Sequence, residues 1–262
     1  MAMGLRAIGK ALIVTADDFN LSAGVSRGII EAHQHGIVTE TSVLVNLGDL
    51  CSAVELLAAT PLLAVGLHLN LTRGRPLAPT NAGAELIGSD GQFRGSPQAL
   101  PPLLGKPSVR QEFQAQLDFF VQAFGHLPVH LDTHHHVHQH PVVLEALLDL
   151  ATPLKLPMRG VDPPMRQAMC ARGVRTPSQL LGDVGESPYW TVARLVSVVC
   201  DLRPGLTELM CHPGYYDEAI AYSRYGRQRD VERKALCDPM VAATVQDMGV
   251  HLVTYAVVQE AV

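Results

Sequence analysis

Cysteine is scarce: five of 262 residues, Cys51, Cys170, Cys200, Cys211 and Cys237. Their number is odd, their spacing is wide and no CxxC occurs, which argues against a disulfide framework or a thiolate zinc site. Most are expected to be buried as small hydrophobes. Charge is also sparse, at 17% of residues. The formal net charge of -5 comes with no basic run, so a dedicated nucleic-acid binder is excluded. No apolar run reaches the ~18–20 residues of a membrane helix. Met1 to Lys10 lacks the long apolar region and small-residue cleavage site of a signal peptide. A soluble, cytoplasmic protein is the expectation. No GxGxxG or GxxxxGK[ST] follows the first strand pattern, which argues against a nucleotide fold.

What the chain does have is alternation of strand and helix signals. Ala11–Thr15 reads as a buried strand, and Ser22 can cap a helix running to about His35, with Gly36 as its stop. Strands follow at Thr41–Asn46 and Leu63–Thr72, with a helix over Ser52–Ala59 between them. A Pro- and Gly-rich stretch, about residues 73–107, exceeds ordinary βα loops and reads as an insertion or lid. Beyond it come a helix over Val109–Phe124, a strand from Val129 into the histidine tract, and a helix from Pro141. A short strand at Pro157–Val161, a helix over Trp190–Cys200, a strand at Leu206–His212, a helix over Asp230–Met248 and a last strand at His251–Val258 complete the pattern. About seven strands, mostly followed by helices, predict an α/β fold: a TIM-like barrel, incomplete, with an open doubly wound sheet as alternative. The whole chain, 1–262, reads as one domain carrying the 73–107 insertion.

Polar residues gather at the predicted carboxyl ends of these strands, the face where parallel barrels build active sites. Asp17 and Asp18 follow the first strand. Adjacent strand residues point to opposite sides, so one can hold a metal while the other stays free as a base; the bland alternative is a helix cap. His68 sits in a strand whose leucines face the other way, and is a ligand or a hydrogen-bonded core residue. Twelve histidines occur, and six lie in His130–His140. On a strand, Asp132, His134, His136 and His138 share one face and His135 takes the other; that alternation fails if the strand ends near Thr133. Imidazole and carboxylate donors together suit zinc and other divalent ions. Arg159 lies in the short fifth strand. His212, before the turn forced by Pro213 and Gly214, suits a general acid or base.

Four stretches together resemble the YdjC-like carbohydrate deacetylases, which include chitooligosaccharide deacetylases and hopanoid-associated deacetylases. They are Thr15-Ala-Asp-Asp-Phe19, Val65-Gly-Leu-His68, His130-Leu-Asp-Thr-His-His-His-Val-His138 and Glu208-Leu-Met-Cys-His-Pro213. They come in the family's order, and the resemblance covers most of the chain, from about residue 11 to residue 257. The resemblance implies an incomplete barrel, one divalent ion (Mg2+ or Zn2+), and hydrolysis of the N-acetyl group of an amino sugar. It implies Asp18, His68 and His134 as metal ligands, Asp17 as general base and His212 as general acid. Asp132 and Arg159, with His136 and His138, are implied to back up these groups or orient substrate. One departure is Asn20, where the family usually has glycine; asparagine tolerates left-handed backbone, so the turn can survive. The rivals are a metal-dependent phosphoester hydrolase and a non-catalytic sugar- or metal-binding protein. A small N-acetylated sugar or glycoconjugate is the expected partner, with no nucleic acid, no membrane span and a homodimer as default assembly.

Overall fold

The computed structural model describes residues 9–79, 84–101, 103–185 and 187–260. Most of the Met1–Lys10 segment, and residues 80–83 and 102 of the 73–107 stretch, therefore lie outside the described residues. Strand β1 (Lys10–Phe19) leads into α1 (Ala23–Gln34), β2 (Glu40–Val43), α2 (Leu50–Ala58) and β3 (Ala64–Leu69). After the long connection come α3 (Lys106–Phe124), β4 (Leu131–Thr133), α4 (Pro141–Leu154) and α5 (Pro163–Ala171). The rest is β5 (Gln179–Leu181), α6 (Val192–Asp201), β6 (Gly205–Cys211), α7 (Gln228–Leu236), α8 (Pro239–Asp247), β7 (Val250–Val253) and α9 (Ala256–Glu260).

Every strand pairing is parallel, in the order β4-β3-β2-β1-β6-β5. The first half of β1, Lys10–Ile13, pairs with β7, and its second half pairs with β2. Residues Ala11 to Phe19 are all buried, as befits a strand covered on both faces. The free edge of β4 is extended by a parallel bridge from Leu131 to Met158. The Met158 N–H donates to the Arg175 carbonyl at 2.9 Å, just before β5. The sheet thus curls into an incomplete barrel wrapped by helices. All strand carboxyl ends open on one side.

Several local expectations differ from the structure. The predicted strand at Pro157–Val161 is only that one bridge, and the fifth strand is Gln179–Leu181. The predicted helix over Asp230–Met248 breaks into α7 and α8, because Pro239 cannot continue α7 and Asp238 caps a new helix through the Met240 N–H. The predicted last strand stops at Val253, and the apolar run beyond it is α9, an ambiguity short apolar runs carry. Cys51, Cys170 and Cys200 are exposed on helices, and only Cys211 is buried. The 73–107 stretch is packed down rather than loose. Its Leu86, Phe93, Leu100 and Leu104 are buried, and Glu112 of α3 accepts the Leu77 and Ala78 N–H groups.

Candidate active site

At the end of β1 the chain turns sharply. Asp18 and Asn20 have φ of 71° and 73°, left-handed values that Asp and Asn tolerate best among side-chain-bearing residues. Asn20, the departure from glycine, holds this turn by donating to the Leu44 and Leu47 carbonyls. The turn sends the two adjacent carboxylates to different partners, and both are only 2% exposed.

Asp18 faces two histidines. His68 Nε2 is 3.3 Å from its Oδ1, and His134 Nδ1 is 2.9 Å from the same oxygen. His68 lies beside Asp132 in the β3–β4 register, and its Nδ1 meets Asp132 Oδ1 at 2.7 Å. Ser42 of β2 donates to the other Asp132 oxygen at 3.0 Å. Asp132 therefore fixes the ring of His68 and leaves Nε2 aimed at Asp18. Arg229 of α7 donates to Asp18 Oδ2 at 2.5 Å.

Asp17 faces the other way, onto Arg159. Two parallel hydrogen bonds of 2.7 Å join both carboxylate oxygens to the guanidinium. Arg159 also contacts Asp132 at 3.0 Å and Glu208 at 2.8 Å, and it is 0% exposed. One cation thus balances three buried carboxylates, and their fields outweigh burial to raise its already high pKa. His212 follows β6. Its backbone N–H donates to Glu232 at 2.6 Å, and its Nε2 stands 3.9 Å from Asp17 Oδ2. Burial pushes its pKa down to about 4, against the pull of Asp17 and Asp18.

Among the described residues, two trios of acid and histidine could hold a cation, with ligand atoms within 4.8 Å of one another: Asp18, His68, His134 and Asp17, His68, Asp132. The Arg159 guanidinium already sits between the acids of the second. The first fits a divalent ion. Its histidine carries a carboxylate behind the imidazole, the arrangement that fixes the tautomer of a metal-ligating His. Electrostatics agree. Burial lowers the His68 pKa, but Asp132 and Asp18 overcome this and raise it to about 10. Burial raises the Asp18 pKa, yet Arg229 and His134 hold it well below the usual carboxylate range. The cluster draws a proton onto His68 because it is short of positive charge, and a cation there would displace that proton.

The histidine tract corrects the expected alternation. Strand β4 ends at Thr133, and residues His134–Gln139 form a tight helical turn in which His135 and His136 are left-handed. Asp132, His134, His136 and His138 therefore do not share a face. His134, His135 and His136 line the cleft, whereas His138 is buried against Thr133 and the Arg159 carbonyl. Asp132 and Arg159 lie behind the cleft, where they orient His68 and Asp17 and do not touch its mouth. Residue-by-residue reading did not place Arg229, Glu232 or Ser42 in the site, and it put His135 on the face opposite His134 and His136, whereas all three histidines line the cleft. The one available signal was in α7, where Arg229, Glu232 and Arg233 occupy buried positions at helical spacing, a place for apolar residues.

The family model described as YdjC-like protein matches residues 11–247. A carbohydrate deacetylase of Geobacillus stearothermophilus is 38% identical over 251 residues, covering 93% of this chain and 96% of that one. A chitooligosaccharide deacetylase of Yersinia enterocolitica is 33% identical, covering 94% and 98%. The crystal structure of a candidate cellobiose-phosphate cleavage protein of Enterococcus faecalis V583 superposes with a TM-score of 0.85 at 28% identity, covering 95% and 98%. The Xyl-CE4 domain of a multidomain xylanase from the hindgut metagenome of Trinervitermes trinervoides shares the fold at a TM-score of 0.53 and 10% identity, covering 96% and 90%.

Proposed function

We propose a function from one premise: the chain belongs to the YdjC-like protein family, matched from residue 11 to 247. On this reading it is a metal-dependent carbohydrate deacetylase, hydrolysing the N-acetyl group of an amino sugar and releasing acetate. The relatives named carbohydrate deacetylase and chitooligosaccharide deacetylase support the substrate class, since each aligns along nearly its whole length. The single observation that carries the chemistry is the split of the β1 carboxylates. Asp18 joins a two-histidine cradle while Asp17, its neighbour, stands 3.9 Å from His212.

Asp18, His68 and His134 would hold the ion. Bound there, it would supply Lewis acidity, making water a better nucleophile near neutral pH and polarising the acetyl carbonyl. Two imidazoles and one carboxylate favour zinc, with magnesium the alternative. Asp17 accepts the proton of the attacking water, and Arg159 holds its carboxylate in one direction while it does so. His212 gives a proton to the departing sugar amine. With its pKa near 4 it rests neutral at pH 7, so it first takes up the proton it will give. Asp17 is the nearest source. The carboxylate and imidazole together shuttle one proton from water to amine. Arg159 is buried behind the cleft, while Arg73 and Arg229 line it, so the preference for amide over phosphoester hydrolysis rests on the named relatives.

The test is acetate release from N-acetylglucosamine oligomers with and without chelator. Release that stops on chelation and returns with metal is the expected result. Phosphate release from phosphoesters instead would overturn the reading.

A further inference from the structure

The mouth of the cleft is crossed by a contact the mechanism does not use. Arg73 lies just beyond β3, at the start of the long connection. Tyr222 lies in the turn after the short helical segment Glu218–Ile220, on the other side of the cleft. The Arg73 guanidinium covers the Tyr222 ring, 4.3 Å from its centroid. Both residues line the same cleft as Asp18, His68 and His134.

The two sides are held differently. The Arg73 backbone is pinned: its N–H donates to Asn70 Oδ1 at 3.1 Å, and its carbonyl accepts from Asn46 at 3.0 Å and Asn70 at 2.8 Å. Asn70 is itself buried and locked to Gln116 in both directions. Only the Arg73 side chain is free to swing. Tyr222 is 52% exposed, and no ion pair with a carboxylate holds Arg73 among the described residues. The cover is therefore weak. At the strength of an exposed cation–π contact it is closed in roughly 70–85% of molecules.

We propose that Tyr222 is the platform on which the acetylated sugar ring stacks, and that Arg73 is its resting cover, displaced when sugar enters. An aromatic face over a polar cleft lined by carboxylates and histidines matches a sugar ring, whose C–H face is apolar and whose rim is polar. This inference rests on the deacetylase reading, and it names Tyr222 and Arg73 as determinants of substrate affinity. The two residues then act with opposite sign. Tyr222→Ala removes the platform, and losing the roughly 50–60 Å² of apolar contact under the ring raises KM about tenfold. Arg73→Ala uncovers it, and lowers KM by about three- to sixfold, the inverse of the open fraction. In both variants kcat changes less than KM, because neither residue touches the reacting atoms.

The experiment is steady-state acetate release from N-acetylglucosamine oligomers by the wild-type chain, both single variants and the double variant. Opposite KM shifts, with the double variant resembling Tyr222→Ala, are expected. KM shifts of the same sign, no shift, or an effect on kcat alone would overturn the platform while leaving the deacetylase intact. No acetate release by the wild-type chain would overturn the deacetylase reading, and the platform with it.

Discussion

Asp132→Asn is the most informative single change behind the metal cradle. The substitution keeps the side chain's shape and removes its charge. Four contacts feel it: His68 Nδ1 at 2.7 Å, Ser42 Oγ at 3.0 Å, the Arg159 guanidinium at 3.0 Å and His130 Nε2 at 3.5 Å. An amide oxygen can still accept from His68, but the amide nitrogen then faces Ser42 and the arginine, and two donors meet. The imidazole loses the negative charge that raises its basicity and fixes its tautomer. Loss of such a supporting carboxylate costs about 10–100-fold in metal affinity, or about 1.4–2.7 kcal/mol. Metal titration of chelator-treated protein, followed by acetate release, reads this directly. The expected pattern is a weakened metal Kd, with kcat largely restored at saturating metal. Metal affinity equal to the wild-type value would refute the role given to Asp132.

Other consequences are equally specific. Asp17→Asn should lower kcat by about 10²–10⁴ with metal content unchanged, whereas His68→Ala should lose the metal; equal metal content and equal activity in both would contradict the division of roles. His212→Ala should likewise keep metal and lose turnover. Arg159→Met leaves three buried carboxylates without their cation, which at about 3–5 kcal/mol should lower Tm by on the order of 10 °C; an unchanged melt would show that those carboxylates find other partners. In chelator-treated protein, His68 and His130 both have pKa values raised to about 10 in the folded state, in each case by neighbouring carboxylates that overcome burial. A raised pKa adds stability that is complete below the unfolded value of about 6.5 and fades as pH climbs through 10. Melting temperature should therefore fall between pH 7 and 10, and a rise over that range would be the contrary result.

Much of this architecture is legible in the chain because buried parallel strands announce themselves. β1 is a run of apolar residues ending in two acids, and in a parallel barrel such an end has few places to be except the active face. Ser22, Gly125 and Pro141 mark helix ends by chemistry that acts within one turn, and the structure shows all three at those positions. The histidine tract is harder. Alternation depends on where β4 stops, and the stop is set by the left-handed residues His135 and His136, which no local rule requires of histidine. The long-range partners are harder still. Arg229 reaches Asp18 across 211 positions, and Tyr255 hydrogen-bonds Glu208 behind Arg159. Neither pairing has a local signature; each exists because the sheet curls and brings its edges together.

The most direct measurement is acetate release from N-acetylglucosamine oligomers by metal-loaded and chelator-treated protein, with metal content measured on the same samples. About one divalent ion per chain, acetate release with it, and none without it are the predicted results. A protein that takes up no ion under any loading condition, or that releases acetate equally well after chelation, would contradict the cradle of Asp18, His68 and His134.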